Sequence, residues 1–361
     1  MFLEYLRKKI YQKKTKILPI INKKEIHKNK FKYFNFEFKN YGSKNPKKIF
    51  YIIRRSPGAG FFSNLNFVIH NLLICEKLKF IPVIDMKNYP TIYNCKNKIN
   101  GNYNSWLYYF KPVSKYKLSE VYKSKNVILC DNKTSRDNAF SSKNYKDEFK
   151  YLNGFRFLNK EHHGIFKKYI IIKKDILKIA NNFIKNNFKK KVLGICFRGS
   201  DQKKSGYHPY PPTKEQMLFA TDALIKKYKF KKIYLCTEDI DYLNLYKKKY
   251  VNKIIYFNNP RTNDKKDLFK GNNNKHRYKI GLGNLIDMII LSKTDYLLHG
   301  ISNIPEAAIF YSKLYSNRKN FPRSLVNNGM SGNVFISQFS FYLKQILPFA
   351  LGGFKKNILK V

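Results

Sequence analysis

From residue 191 onward, short β-branched or aromatic runs alternate with longer amphipathic ones, and this alternation constrains the fold more than any other feature. KVLGICF (191–197), KKIYLCTED (231–239), NKIIYF (252–257) and DYLLHG (295–300) read as strands. PTKEQMLFATDALIKKY (212–228), DYLNLYKKKY (241–250), NLIDMIILSK (284–293) and IPEAAIFYSKLY (304–315) read as helices. Strands separated each time by a helix pair in parallel, so the spacing predicts a doubly wound sheet.

The same grammar occurs once nearer the amino end. KIFYIIRR (48–55) reads as a strand and SPGAG as a turn. A helix over 61–79 follows, with apolar residues at Phe61, Leu65, Val68, Leu72 and Leu73, and FIPVID (80–85) is a second strand. The expected architecture is α/β, with two Rossmann-like halves facing a cleft. A basic arm (1–48) precedes a first α/β domain (49–190). A second domain (191–361) is of nucleotide-binding type, and its last helix is expected to pack back on the first half. Residues 90–165 are aromatic and polar with weak periodicity, and give no clear elements.

Of 361 residues, 43% are hydrophobic, enough for a packed core, which excludes disorder over the whole chain. Lys and Arg number 72 against 23 Asp and Glu, a formal charge of +49. Such a chain is attracted to nucleic acid or to an anionic membrane surface. Enrichment in Lys, Asn, Ile, Tyr and Phe together also fits A/T-rich codons, and both accounts stay open. The basic residues are spread throughout and no RNA-binding signature occurs, so a specific nucleic-acid partner is not expected.

The five cysteines form no CxxC pair and read as small buried hydrophobes in a reducing compartment. The seven histidines show no ligand spacing, so neither a bound metal nor another cofactor is expected. The start lacks an apolar signal core, and no stretch of about 18 apolar residues occurs. Residues 334–354 are broken by Gln338, Lys344, Gln345 and Pro348, and read as a buried or interfacial helix. A cytoplasmic location is expected, with the basic charge suited to the inner face of a membrane.

Open parallel sheets bind ligands beyond the carboxyl ends of their strands. GAGFFSN, RGSDQKKSGYH, TED and GISN all follow strands. Arg198 could grip a phosphate with its planar fork, or pair with Asp201. Ser302 and Asn303, just before Pro305, form either a phosphate-binding helix start or a plain N-cap. Asp287 interrupts LIDMIIL, where it could accept a guanine edge or pair with a buried arginine such as Arg277. Gly58 and Gly60 permit a tight turn, but SPGAGFFSN matches neither GxGxxG nor the GxxxxGK[ST] phosphate loop. No GxSxG or Cys/His protease pattern is present.

Taken in order, these segments resemble the superfamily of the α1,6-fucosyltransferases, the rhizobial nodulation fucosyltransferase and the protein O-fucosyltransferases. That family carries H-x-R-R-T-D-K followed by F-H-P; here CFRGSDQ…YHP matches at Arg198, Asp201, His208 and Pro209. YLCTED resembles Y-L-A-T-D-D. NLIDMIILSKTDYLLHGISN matches I-L-D-I-x-x-L-S-x-A-D-x-L-V-x-T-x-S-S at Asp287, Leu291, Ser292, Asp295 and Ser302. In the amino half, GFFSN and SWLYYFKPVS (105–114) echo the family's order, and the resemblance spans about 50–315.

The resemblance implies a GT-B-like glycosyltransferase. It would transfer fucose or a related sugar from a GDP-sugar to a glycan or lipid-linked acceptor, with inversion and without metal. The first domain would face the acceptor. It implies donor contacts by Arg198, Thr237, Asp239, Asp287 and Ser302, and the loop residues Gly58, Gly60, Asn64 and Asn303 are further candidates for binding the GDP-sugar. Asp201 and His208 become candidate bases. Cys196, Gly199 and Gln202 replace the family's histidine, second arginine and lysine, which leaves Lys203 and Lys204 to supply charge. The loop to His208 is about two residues shorter, and the family's catalytic glutamate has no match. A non-enzymatic nucleic-acid binder and an inactive sugar-nucleotide scaffold are the alternatives.

Overall fold

The computed structural model describes residues 37–130, 155, 158, 160–198, 208–263, 268–271, 274–316, 318, 320–331 and 334–355. The chain forms two compact units, with the main division between Ile172 and Lys173.

In the first unit, β1 (Glu37–Lys39) and β2 (Lys44–Ile53) lead to α1 (Phe61–Leu78) and β3 (Ile81–Ile84). Short helices α2 (Trp106–Tyr109) and α3 (Leu118–Val121) precede β4 (Ser124–Leu129), and α4 (Lys160–Tyr169) follows. The sheet order is β1-β4-β2-β3, with β2 parallel to β3 and β4, and β1 antiparallel to β4. Phe50–Ile53, the continuous apolar end of β2, is fully buried, as a central parallel strand requires. Residues 37–39 and 44–48 are therefore sheet rather than arm. Their exposed, lysine-rich pattern belongs to a strand whose outer half meets solvent. The chain between 90 and 130, where the sequence pattern was weakest, supplies α2, α3 and β4.

The buried imidazoles of His70 on α1 and His162 on α4 meet at 3.2 Å. Burial pulls the His162 pKa down to about 4, so His162 enters this contact neutral.

The second unit opens with α5 (Lys174–Asn187) and β5 (Val192–Cys196). Then come α6 (Lys214–Tyr228), β6 (Lys232–Cys236), α7 (Ile240–Lys249) and β7 (Ile254–Ile255). The chain returns through α8 (His276–Leu291) to β8 (Tyr296–Gly300), α9 (Asn303–Tyr315), β9 (Arg323–Val326) and α10 (Val334–Ile346). Thr213 and Gln216 start α6 with reciprocal capping bonds. All five strands are parallel, in the order β7-β6-β5-β8-β9. The division falls at 172 rather than 190 because α5 packs on α8 and so belongs to the second unit. Helix α10 also belongs to this unit: its Phe341 seats on Tyr210 and Phe354. Among the described residues, no helix is long and apolar enough to cross a membrane.

Gly194, at the centre of β5, makes room for Thr294. A Cβ there would lie 2.6 Å from Thr294 Oγ1, which is already committed to the carbonyl of Leu291 at 2.8 Å. Gly194→Ala is expected to destabilise the protein by about 1–3 kcal/mol through overpacking. A urea titration measures this as a lowered midpoint at unchanged slope.

Candidate functional site

The second sheet winds outward from β5 through β6 to β7, then resumes at β8 on the other side of β5. The crevice beyond the carboxyl ends of β5 and β8 is therefore the topological switch point. Cys196 of β5 is in register with Cys236 of β6 and with His299 of β8, so the residues after these three strands emerge at one level. Arg198 leaves β5, Thr237, Glu238 and Asp239 leave β6, and Ser302 and Asn303 leave β8. These six come together at one end of the sheet.

Arg198 forms an ion pair with Glu238, Nε to Oε1 at 3.5 Å, and both side chains keep some contact with solvent. The sequence reading weighed Asp201 as the partner; Asp201, Lys203 and Lys204 lie outside the described residues. Glu238, the middle residue of TED, is the member of the site that the motif reading passed over.

Ser302 is the N-cap residue of α9, yet its side chain makes no capping bond. Among the described residues its Oγ has no hydrogen-bond partner, although it is buried. A buried hydroxyl in this state costs roughly 1–3 kcal/mol, so it is suited to a ligand that completes it. The amides of the first turn and the helix dipole make the same place favourable to an anion. Asp239 is an N-cap in the ordinary sense: its Oδ1 accepts from the amides of Asp241 at 2.9 Å and Tyr242 at 3.3 Å. Thr237 Oγ1 in turn accepts from the Asp239 amide at 3.1 Å, so these two residues shape the β6 end.

Asp287 is deeply buried on α8. The Tyr234 hydroxyl donates to its Oδ1, and the Asn259 amide donates to its Oδ2 at 2.7 Å. Its partners are thus neutral donors and not Arg277, which is exposed. Burial raises the Asp287 pKa to about 6, against the opposing pull of the Tyr234 bond and the nearby Arg261 guanidinium. Tyr234 is pushed well above the usual phenol range by burial and by the Asp287 carboxylate.

Asn259 belongs to a segment that Arg261 ties down. The guanidinium donates to the carbonyls of Thr237 at 3.1 Å, Asn259 at 3.0 Å and Phe257 at 2.8 Å. The Thr262 amide closes the tie on the Glu238 carbonyl at 3.0 Å. The wall beside Thr237 and Glu238 is thereby held by a buried carboxylate on one side and an arginine clamp on the other. Sequence reasoning missed Tyr234, Asn259 and Arg261; the only available signal was an arginine among turn residues in NNPRT.

His208 lies at the far end of the loop after β5. Its carbonyl accepts from the Ser331 amide at 2.7 Å and its amide donates to Ser331 Oγ at 3.1 Å.

The first unit brings Gly58, Gly60 and Asn64 together. Gly58 has φ +76°, in the left-handed region that favours glycine, and a Cβ there would strike Asn64 Oδ1 at 2.8 Å. Asn64 uses that space to staple the turn, accepting from the Ala59 amide at 2.9 Å and donating to the Ala59 carbonyl at 3.0 Å. Gly60 has an ordinary φ of −58° and open space where a Cβ would be, so the turn itself demands only Gly58. Among the described residues, no three His, Cys, Asp or Glu side chains cluster as metal ligands.

No protein-family model and no curated protein matches the chain. The solved structures named next are distant in sequence. The protein is similar to POFUT1 in complex with GDP at 12% identity, over 78% of this chain and 99% of that one, TM-score 0.43. It is similar to fucosyltransferase NodZ from Bradyrhizobium at 13% identity, over 72% and 92%, TM-score 0.44. To NodZ alpha-1,6-fucosyltransferase co-crystallised with GDP it is similar at 15% identity, over 72% of this chain and 92% of that one, with a TM-score of 0.46.

Proposed function

We propose that the chain is a glycosyltransferase that moves fucose, or a related deoxysugar or heptose, from a GDP-sugar to a hydroxyl of a glycan or lipid-linked saccharide. The observation that carries this reading is that Arg198 and the Ser302–Asn303 helix start follow adjacent strands at the switch point. A cationic fork and a helix start with a buried, unsatisfied hydroxyl suit a pyrophosphate. By resemblance, CFRGSDQ…YHP supports contact with the donor's phosphates and NLIDMIIL supports guanine as the base. In this reading Asp287 is a positioning residue that acts on the nucleotide wall through Asn259.

The reaction follows from these groups. The acceptor hydroxyl oxygen attacks the anomeric carbon from the face opposite the leaving group, forming the new glycosidic bond. The bond from that carbon to the β-phosphate oxygen breaks, and GDP departs with the electron pair. Asp201 or His208 takes the hydroxyl proton. Arg198, Lys203, Lys204 and the α9 amides balance the charge that grows on the pyrophosphate, a task that fixed cations perform without a metal.

The test is a thermal-shift screen of GDP-, UDP- and CMP-sugars. A GDP-sugar at about 100 times its Kd is expected to stabilise the protein by about 2.7 kcal/mol, a rise of several degrees in Tm. Stabilisation by UDP-sugars alone overturns the guanine assignment. Tight binding to arbitrary DNA, lost steeply with salt and without any response to GDP, overturns the enzyme reading in favour of a nucleic-acid binder.

A further inference from the structure

Helix α10 carries apolar side chains on two opposite sides. Phe341 and Ser337 form its buried side, with Phe341 packed on Tyr210 and Phe354. The opposite side carries Phe339, Tyr342, Leu343 and Ile346, which follow the i, i+3, i+4, i+7 spacing of a single helical face. All four are exposed, Phe339 by 70% and Ile346 by 80%. Phe349 and Leu351, in the turn that follows, extend the same apolar surface into solvent. A helix apolar on both sides finds its second partner elsewhere.

Charge identifies the partner. Residues 307–361 contain eight Lys or Arg and no Asp or Glu. Lys344 reaches the Gly352 carbonyl at 2.9 Å and Lys355 stands 5.9 Å from the Phe349 ring, so cations border the apolar strip. Among the described residues, Gln345 meets Glu215 at 3.5 Å. An aromatic and aliphatic strip framed by lysines, within a chain of +49, suits an anionic lipid surface, where apolar side chains enter the headgroup boundary and cations meet lipid phosphates.

We propose that the exposed face of α10, with Phe349 and Leu351, docks the protein onto an anionic bilayer, lying in its surface without crossing it. The proposal stands whether or not the chain transfers a sugar. It differs from simple attraction of a basic protein because the strip adds a component that salt does not screen.

The experiment uses the full chain and vesicles of phosphatidylcholine with or without phosphatidylglycerol, sedimented at low and high salt. At about 0.5 M salt, where surface charges act over only a few ångströms, the native protein is expected to stay on the anionic vesicles. Phe339→Ser with Ile346→Ser is expected to weaken that partitioning about tenfold or more at unchanged charge. Both positions are exposed, so an unchanged melting temperature of the variant confirms that its fold is intact. Complete release of the native protein at high salt overturns the proposal, as does equal retention of the variant. A native dimer that the two substitutions convert to a monomer also overturns it, and assigns the face to a second copy.

Discussion

Arg198→Ala is expected to lower sugar transfer by about 10²- to 10³-fold, the usual consequence of removing one donor from developing transition-state charge. The fold should survive. The ion pair with Glu238 spans 3.5 Å between partly solvated side chains, a class worth about 0–1 kcal/mol. The loss should therefore appear in kcat and kcat/KM, with the melting temperature nearly unchanged. Arg198→Lys separates charge from shape: it keeps the cation but loses the planar fork that grips two phosphate oxygens, so recovery should be partial. Near-normal turnover by the alanine variant removes Arg198 from the mechanism.

The second large effect concerns acid and the stability of the second unit. The carboxyl of Asp287 is raised from 3.8 to about 6 by burial. Between those values the folded protein keeps a proton that the unfolded chain has released. Stability therefore falls as pH rises through this window and levels off above about 6. With roughly 1.4 kcal/mol per unit, the loss between about pH 4 and 6 is about 3 kcal/mol. Asp287→Asn, which has no proton to lose, should flatten that slope. Amide hydrogen exchange in β6, followed from pH 4 to 7 in both proteins, measures it. An identical slope in the variant removes the effect from Asp287. His162 responds in the opposite sense: with a folded pKa near 4, its unit loses stability as pH falls from 6.5 toward that value.

Much of the second unit was legible in the sequence because β5, β6 and β8 are buried on both faces and α6 and α7 start on capping residues. β5, β6, β8, α6, α7 and α9 stand close to where their apolar runs and caps indicate. Helix α8 begins eight residues before the periodic segment that announces it, at His276 instead of Asn284. Other elements were hidden by composition. Helix α5 reads as a lysine- and asparagine-rich linker, although Ile176 and Ala180 bury a face against its neighbours. β1 is three residues long and exists only through its pairing with β4, roughly ninety residues away in sequence, as in Glu37 with Leu129.

The candidate site divides along the same line. Arg198, Thr237, Asp239, Ser302 and Asn303 were readable because a parallel sheet delivers whatever follows its strands to one edge. What those residues hold was not readable. The Arg198–Glu238 pair, the Asp287 bonds to Tyr234 and Asn259, and the Arg261 clamp each join segments that meet only after the sheet has formed.

The central place of β5 has a consequence for synthesis. β5 is flanked by β6 and β8, and the Val192 amide donates at 2.8 Å to the carboxylate of Asp295, 103 residues later. At a translation rate of about 5–20 residues per second, one edge of β5 waits about 5–20 s for its second neighbour. During that interval an apolar strand is open to wrong pairing with other chains. Lys189, Lys190 and Lys191 immediately precede it, Lys231 and Lys232 open β6, and Lys253 precedes β7. Charges at the entrance of an apolar strand are of the kind that disfavours aggregation. Part of the unusual lysine content thus lies where it can oppose wrong pairing, at the strand ends opposite the site.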